Sequence, residues 1–156
     1  LGVNLPQLQK SVLKTFEKSG IMHPAYSGRN PLDIVGDALP NRYELAINTL
    51  LKEPYIHGLI IIQTLQAMTN TVLDAKVIVD AHKQFPDKPI MTCFMGGKFS
   101  RKGMHYLDNM HIPDFNDVRK AVVAIKALID RGELMSRLQK VGATDAVPAA
   151  KSKKKK

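Results

Sequence analysis

The sequence predicts a three-layer α/β fold, a parallel sheet with helices on both faces. Three observations carry this. Two apolar runs, HGLIIIQ and PIMTCFM, have the composition of strands buried on both sides. Between them Leu73, Val77, Ala81 and Phe85 recur at helical spacing. The connection is far too long for a hairpin, so the two strands run parallel through a helical crossover.

The remaining elements follow in order. Leu5, Leu8, Val12, Leu13 and Phe16 mark an amphipathic helix over 5–19, stopped at Ser19-Gly20. HPAYSGRNP is a loop, and LDIV reads as a short buried strand. Pro40 stands where a first helical turn tolerates it, and Tyr43, Ala46, Ile47, Leu50 and Leu51 continue one helix face. After the strand–helix–strand unit, MGGKFSRKG is a glycine- and lysine-bearing loop leading to a helix over 101–110. HIPDF is a short strand or extended piece. Val118, Val122, Ile125 and Ile129 begin a last long helix, which residues 131–140 prolong past Gly132. Nothing before LDIV supplies the strand, Gly-rich turn and helix with which such a domain opens, so the sheet is expected to lack its first strand and helix. The domain is expected over 1–140, with a disordered Lys-rich tail over 141–156.

Bulk properties narrow the function. At 156 residues the chain is long enough for one domain with a real core. No apolar run approaches the ~20 residues of a membrane helix. There is no signal-peptide pattern at the N-terminus. The single cysteine, Cys93, excludes an internal disulfide and reads as a small buried side chain. A reducing, cytoplasmic compartment is expected. The net charge of +9 includes five lysines in KSKKKK, which leaves +4 elsewhere. Such a tail can bind polyanions weakly, but no basic and aromatic residues interleave into a base-reading surface. His23, His57, His82 and His111 are scattered, without metal-ligand spacing.

Ligands of parallel sheets bind beyond the carboxyl ends of the strands. Here those ends are VGDA, QTLQAMT and MGGKFS. In the first, Asp33 and Asp37 flank Gly36. Paired acids oppose phosphate, so they are better placed to hold N–H groups of nearby turns or a cationic side chain across an interface. Gly36 is expected to take a backbone conformation closed to other residues. Loop-structural and functional readings of these positions both stand. In the third, Lys98, Arg101 and Lys102 can steer an anion or simply be solvated. His105, in RKGMHYL, has a basic, glycine-bearing approach, yet helical periodicity makes it an ordinary helix-surface histidine rather than a nucleophile.

NPLDIVGDALPNRYELAINTLL, IIIQTLQAMTNT, KPIMTCFMGG and HIP followed by AVVAIKAL occur in this order over residues 1–130. Together they resemble the flavodoxin-type, succinyl-CoA-ligase-like domain closing the α part of ADP-forming acetate–CoA ligases. These are NDP-forming acyl-CoA synthetases. The resemblance implies a part in converting acyl-CoA, ADP and phosphate to acid, CoA and ATP through an acyl phosphate and a phosphohistidine. It implies that the turn Thr64, Gln66, Ala67, Met68, Thr69 and Asn70 offers a helix N-terminus to the phosphohistidine. Thr69, Asn70 or Thr71 would cap that helix. Asn30, Asp33, Gly36, Asp37, Gly96 and Gly97 would form the neighbouring active-edge loops.

The resemblance also implies what lies elsewhere. The phosphorylated histidine, the CoA-binding domain and the ATP-grasp part are absent here, as is the family's Asn-Ala-Gly-Gly-type turn. The chain alone is therefore expected to be inactive and to bind no cofactor. CoA, ADP or ATP, phosphate and Mg would act in the complete enzyme, whose CoA-binding, His-loop and ATP-grasp parts would be its partners. Two other readings remain open. One is a ligand-sensing module like those fused to protein lysine acetyltransferases. The other is a basic polyanion-binding protein.

Overall fold

A computed structural model describes residues 1–144 of the chain, with side-chain surroundings for 1–140. Of the expected tail, residues 141–144 continue the last helix, and 145–156 lie outside the described residues. Five helices, two strands and one 3₁₀ turn follow in the order α1 (Lys10–Ser19), α2 (Pro40–Lys52), β1 (Leu59–Thr64), α3 (Thr71–Gln84), β2 (Ile90–Met95), the turn Gly97–Phe99, α4 (Arg101–Asn109) and α5 (Val118–Thr144).

The two strands pair in parallel, Leu59 opposite Ile90 through Thr64 opposite Met95. Side chains alternate between sheet faces along each strand, and this alternation builds the three layers. On one face Ile61, Ile90 and Phe94 join Ile47 and Leu51 of α2, Ala75, Ile78 and Val79 of α3, and Leu107 of α4. On the other, Ile60 and Met91 meet Ala121 and Ile125 of α5 together with Val3 and Phe115. Fully burying a side chain such as Leu51, Ile78 or Leu107 stabilises the fold by roughly 1.5–3 kcal/mol each. Cys93 is buried within β2, and burial pushes its thiol pKa up.

The expected three-layer α/β arrangement is thus present, and most elements fall where the periodicity places them. HIPDF contributes one isolated parallel bridge, Asp114 to Thr92. It is pinned there because Asp114 Oδ1 accepts from Thr92 Oγ1 at 2.8 Å and from the Phe94 amide at 3.1 Å. Pro40 opens α2, and Lys88 Nζ donates to the carbonyls of Leu51 and Glu53 at its C-terminal end, both at 2.7 Å. α1 ends at Gly20 in the left-handed region, as its sequence predicts.

Three expectations need correction. The first helix starts at Lys10, not near residue 5. The preceding stretch is held extended by outside partners. The Pro6 carbonyl accepts from Asn30 Nδ2 at 2.9 Å, and the Gln9 amide donates to the Tyr55 hydroxyl at 3.1 Å. LDIV is not a strand. Asp33 Oδ1 takes the Val35 amide at 2.8 Å, and Arg42 Nη1 donates to the Ile34 carbonyl at 3.0 Å. Backbone groups satisfied by side chains are not offered to a neighbouring strand. Finally, Val35 takes the left-handed conformation there, with φ 69°, and Gly36 does not.

Candidate functional site

Three loops gather at the carboxyl end of the sheet. The central one links β1 to α3. The Leu65 amide donates to the Met95 carbonyl at 3.4 Å, tying this loop to the end of β2. Residues 66–69 then form a turn closed twice by the same two residues. The Thr69 amide donates to the Gln66 carbonyl at 3.1 Å, and the Gln66 amide donates to Thr69 Oγ1 at 2.9 Å. Thr69 is thereby the lock of the turn. Asn70 is the cap of α3, because its Oδ1 accepts the Leu73 amide at 3.1 Å and its carbonyl accepts the Asp74 amide at 2.9 Å. Among the described residues the amides of Thr71 and Val72 have no acceptor. They are the free donors expected at a helix start. Thr64, Gln66, Ala67, Met68 and Asn70 are exposed around them.

The second loop, 96–100, presses against the first through a glycine. A Cβ on Gly96 would run into Ser100 Oγ and come within 2.8 Å of Leu65 Cβ. Gly103, in the first turn of α4, allows the start of α4 to lie against the start of α3. A Cβ there would sit 2.5 Å from the Thr71 carbonyl oxygen. Two helix N-termini therefore converge on one corner, and their dipoles make it favourable to negative charge. Lys98, Arg101 and Lys102 are exposed on this side, with Lys98 Nζ 5.1 Å from the Phe99 ring centre. Gly97 takes φ 53° at the start of the 3₁₀ turn.

The third loop runs from Asn30 to Asp37. Gly36 lies beside the central loop, where a Cβ would meet Gln66 Cγ at 3.4 Å. Asp33 braces its own turn, and Asp37 pairs with Arg42 of α2 inside this chain. The Arg42 guanidinium beside it holds the Asp37 carboxyl below the usual carboxylate range. Arg42 also donates to the Ile21 and Ile34 carbonyls, so one side chain fastens two segments to α2. Asn30 anchors the loop to residues 6–7.

His105 is exposed on α4, away from any hydrogen-bond partner among the described residues. His23 accepts the Ala25 amide through Nδ1 at 3.0 Å, a local turn contact. No group of three or more His, Cys, Asp or Glu side chains suited to a metal ion gathers among the described residues.

The sequence reading missed one pair beneath the corner. Gln63 of β1 and Asp74 of α3 are both fully buried, and Gln63 Nε2 donates to Asp74 Oδ2. Burial pushes the Asp74 carboxyl up to about 6, against the lowering effect of the Gln63 bond. Burial first, and the charge of Asp74 second, push the Tyr43 hydroxyl up to about 12. A signal existed. Gln63 shares the strand face of Leu59 and Ile61, and Asp74 shares the helix face of Ala75 and Ile78.

Comparison with known proteins agrees with this architecture. The sequence pattern of the Ligase-CoA domain matches residues 2–132. The α subunit of acetate–CoA ligase (ADP-forming) II of Pyrococcus furiosus is 26% identical over 136 residues, covering 85% of this chain and 29% of that protein. The acetate–CoA ligase (ADP-forming) of Methanocaldococcus jannaschii is 37% identical over 125 residues, covering 74% of this chain and 18% of that protein. Among solved structures, the dinucleotide-forming acetyl-coenzyme A synthetase 1 of Candidatus Korarchaeum cryptofilum superposes with a TM-score of 0.79 at 27% identity, over 94% of this chain and 31% of that one. The same match holds for that enzyme in complex with phosphate and ADP. The chain spans less than a third of the length of these relatives, and it belongs to the Ligase-CoA domain family.

Proposed function

We propose that this chain is the part of an ADP-forming acyl-CoA ligase that stabilises a phosphate carried on a histidine of another domain. The observation carrying this reading is the corner where α3 and α4 begin. There, among the described residues, the amides of Thr71 and Val72 have no acceptor; Thr69 locks the turn before them and Asn70 caps the helix. Free amides and a helix dipole favour an anion without a covalent step, by roughly 0.3–2 kcal/mol per interaction.

In this role the chain supplies no nucleophile. The complete enzyme would pass phosphate from an acyl phosphate to its histidine and then to ADP, releasing acid, CoA and ATP. The chain's residues would act when the phosphohistidine swings against the corner. The Thr71 and Val72 amides would donate to phosphate oxygens, Thr69 would hold the turn, and the Asn30–Asp37 loop would wall one side. CoA, nucleotide and Mg would be bound by the partner parts, and phosphate is the shared substrate.

The test uses the complete ligase. Thr69→Ala, or one residue inserted between 64 and 69, is expected to slow transfer between phosphohistidine and ADP by about two- to thirtyfold, matching the energies above. Unchanged rates for both changes would remove this corner from the reaction.

A further inference from the structure

The pair beneath the corner has an imbalance that one proton resolves. Gln63 Nε2 donates to Asp74 Oδ2, yet Asp74 Oδ1 and Gln63 Oε1 are both buried with no hydrogen-bond partner among the described residues. Two buried acceptors without a donor are costly. A proton on Oδ1 converts it to a donor and gives Oε1 an acceptor's role. An acid and a primary amide can close a ring of two hydrogen bonds, one in each direction.

We propose that in the folded domain Asp74 holds, at acid pH, a proton that it shares with Gln63, so that the first turn of α3 is uncharged toward an anion there and turns repulsive as that proton is lost. Asp74 is then a positioning residue for the phosphate corner. The second half of this statement rests on the function proposed above; the first half does not. Asp74 is the fourth residue of α3, so about 5 Å of helix separates it from Thr71. A bare carboxylate there would repel an anion at the helix start. At roughly 8 Å and an effective dielectric of about 20–40, that repulsion weakens binding by about tenfold.

The surroundings favour the acid. Asp74 is 0% exposed. β1 presents Gln63 to it, and α2 presents Tyr43, whose phenol is neutral across the range concerned. Thr71 of its own first turn packs on Gly103 of α4, which brings no charge. Among the described residues no lysine, arginine or histidine offsets a charge on Asp74. Burial therefore moves its titration in the same direction as the ring.

The experiment follows the Cγ resonance of Asp74 by ¹³C NMR in the 156-residue chain as pH is raised. Assignment through bonded nuclei in the wild type needs no variant. A midpoint at or above about 6 is expected, and a midpoint near 4 overturns the proposal. Sulfate, which does not titrate in this range, is then added while the Thr71 and Val72 amides are observed. Its affinity is expected to fall about tenfold as pH rises through the Asp74 midpoint. Asp74→Asn, which can close the same ring without a charge, is expected to bind sulfate equally at low and high pH. Sulfate binding that falls with pH in Asp74→Asn as in the wild type overturns the positioning role. A raised midpoint with no sulfate binding at any pH leaves the shared proton standing and overturns both the anion corner and the role of Asp74 in it.

Discussion

Replacing Asp74 by Asn should change how stability depends on pH more than any other single substitution here. In the unfolded chain the carboxyl titrates near 3.8, and in the folded domain burial raises this to about 6. Below pH 4 both states hold the proton, and the group neither stabilises nor destabilises. Between pH 4 and 6 the unfolded chain releases the proton and the folded one keeps it, so stability falls as pH rises. Above 6 both are ionised and the loss is complete. A shift of about two units at 1.36 kcal/mol each amounts to about 3 kcal/mol. Asparagine keeps the shape and cannot ionise. Urea unfolding followed by circular dichroism, at steps from pH 4 to 8, measures both chains. The stability of the variant relative to the wild type should grow by about 2.5 kcal/mol across this range. Asp114, also raised by burial, and Asp37, lowered by Arg42, titrate in both proteins and cancel in the difference. A difference that stays constant from pH 4 to 8 would refute the reasoning.

Three further substitutions probe the corner and its supports. Asn70→Ala removes the side-chain acceptor of the Leu73 amide and should cost about 1 kcal/mol in urea unfolding. Gly103→Ala gains up to about 1 kcal/mol of helix propensity but drives a methyl into the Thr71 carbonyl, at a cost of about 1–3 kcal/mol. Net destabilisation is expected, together with shifted amide resonances at Thr71 and Val72. Stabilisation would mean that α3 and α4 separate freely. Arg42→Ala loses the bonds to Ile21, Ile34 and Asp37 and should cost about 1–3 kcal/mol. Hydrogen exchange at the Val35 and Ala38 amides should quicken, since Arg42 fastens this loop to α2.

The elements with strong periodicity were legible because packing and pattern agree. LIIIQT and IMTCFM have too little polarity for any place but a sheet covered on both faces. The spacing of Leu73, Val77, Ala81 and Phe85 marked a helix between them, but Leu73 is exposed and the face laid on the sheet is that of Ala75, Ile78 and Val79. The end of the sheet where the three loops gather was also legible, since a parallel sheet collects its loops at one end whatever their details. The exact roles within it were not. Thr69, Asn70 and Thr71 are all competent to cap a helix, and only the fold of the 66–69 turn commits Thr69 to the turn and Asn70 to the cap.

LDIV misled because hydrophobicity records burial and not pairing. Its backbone is met by the side chains of Asp33 and Arg42 and by Ser27, whose hydroxyl and amide both bond the backbone of Asp33, and none of these lies in a strand. The residue with positive φ was Val35 rather than its glycine neighbour, since the surrounding bonds impose that conformation against local preference.

By itself the sequence determined the class of fold, the direction of the strands, the family and the end of the sheet where its loops collect. All of these follow from periodicity, connection length and ordered motifs along one dimension. Only the tertiary structure decided that Gln63 and Asp74, eleven residues apart, face each other in the dark of the core. It alone decided that α3 and α4 start together across Gly103. Both depend on how a strand and two helices are set against one another in space, and a buried polar group acquires its chemistry from whichever partner that setting supplies.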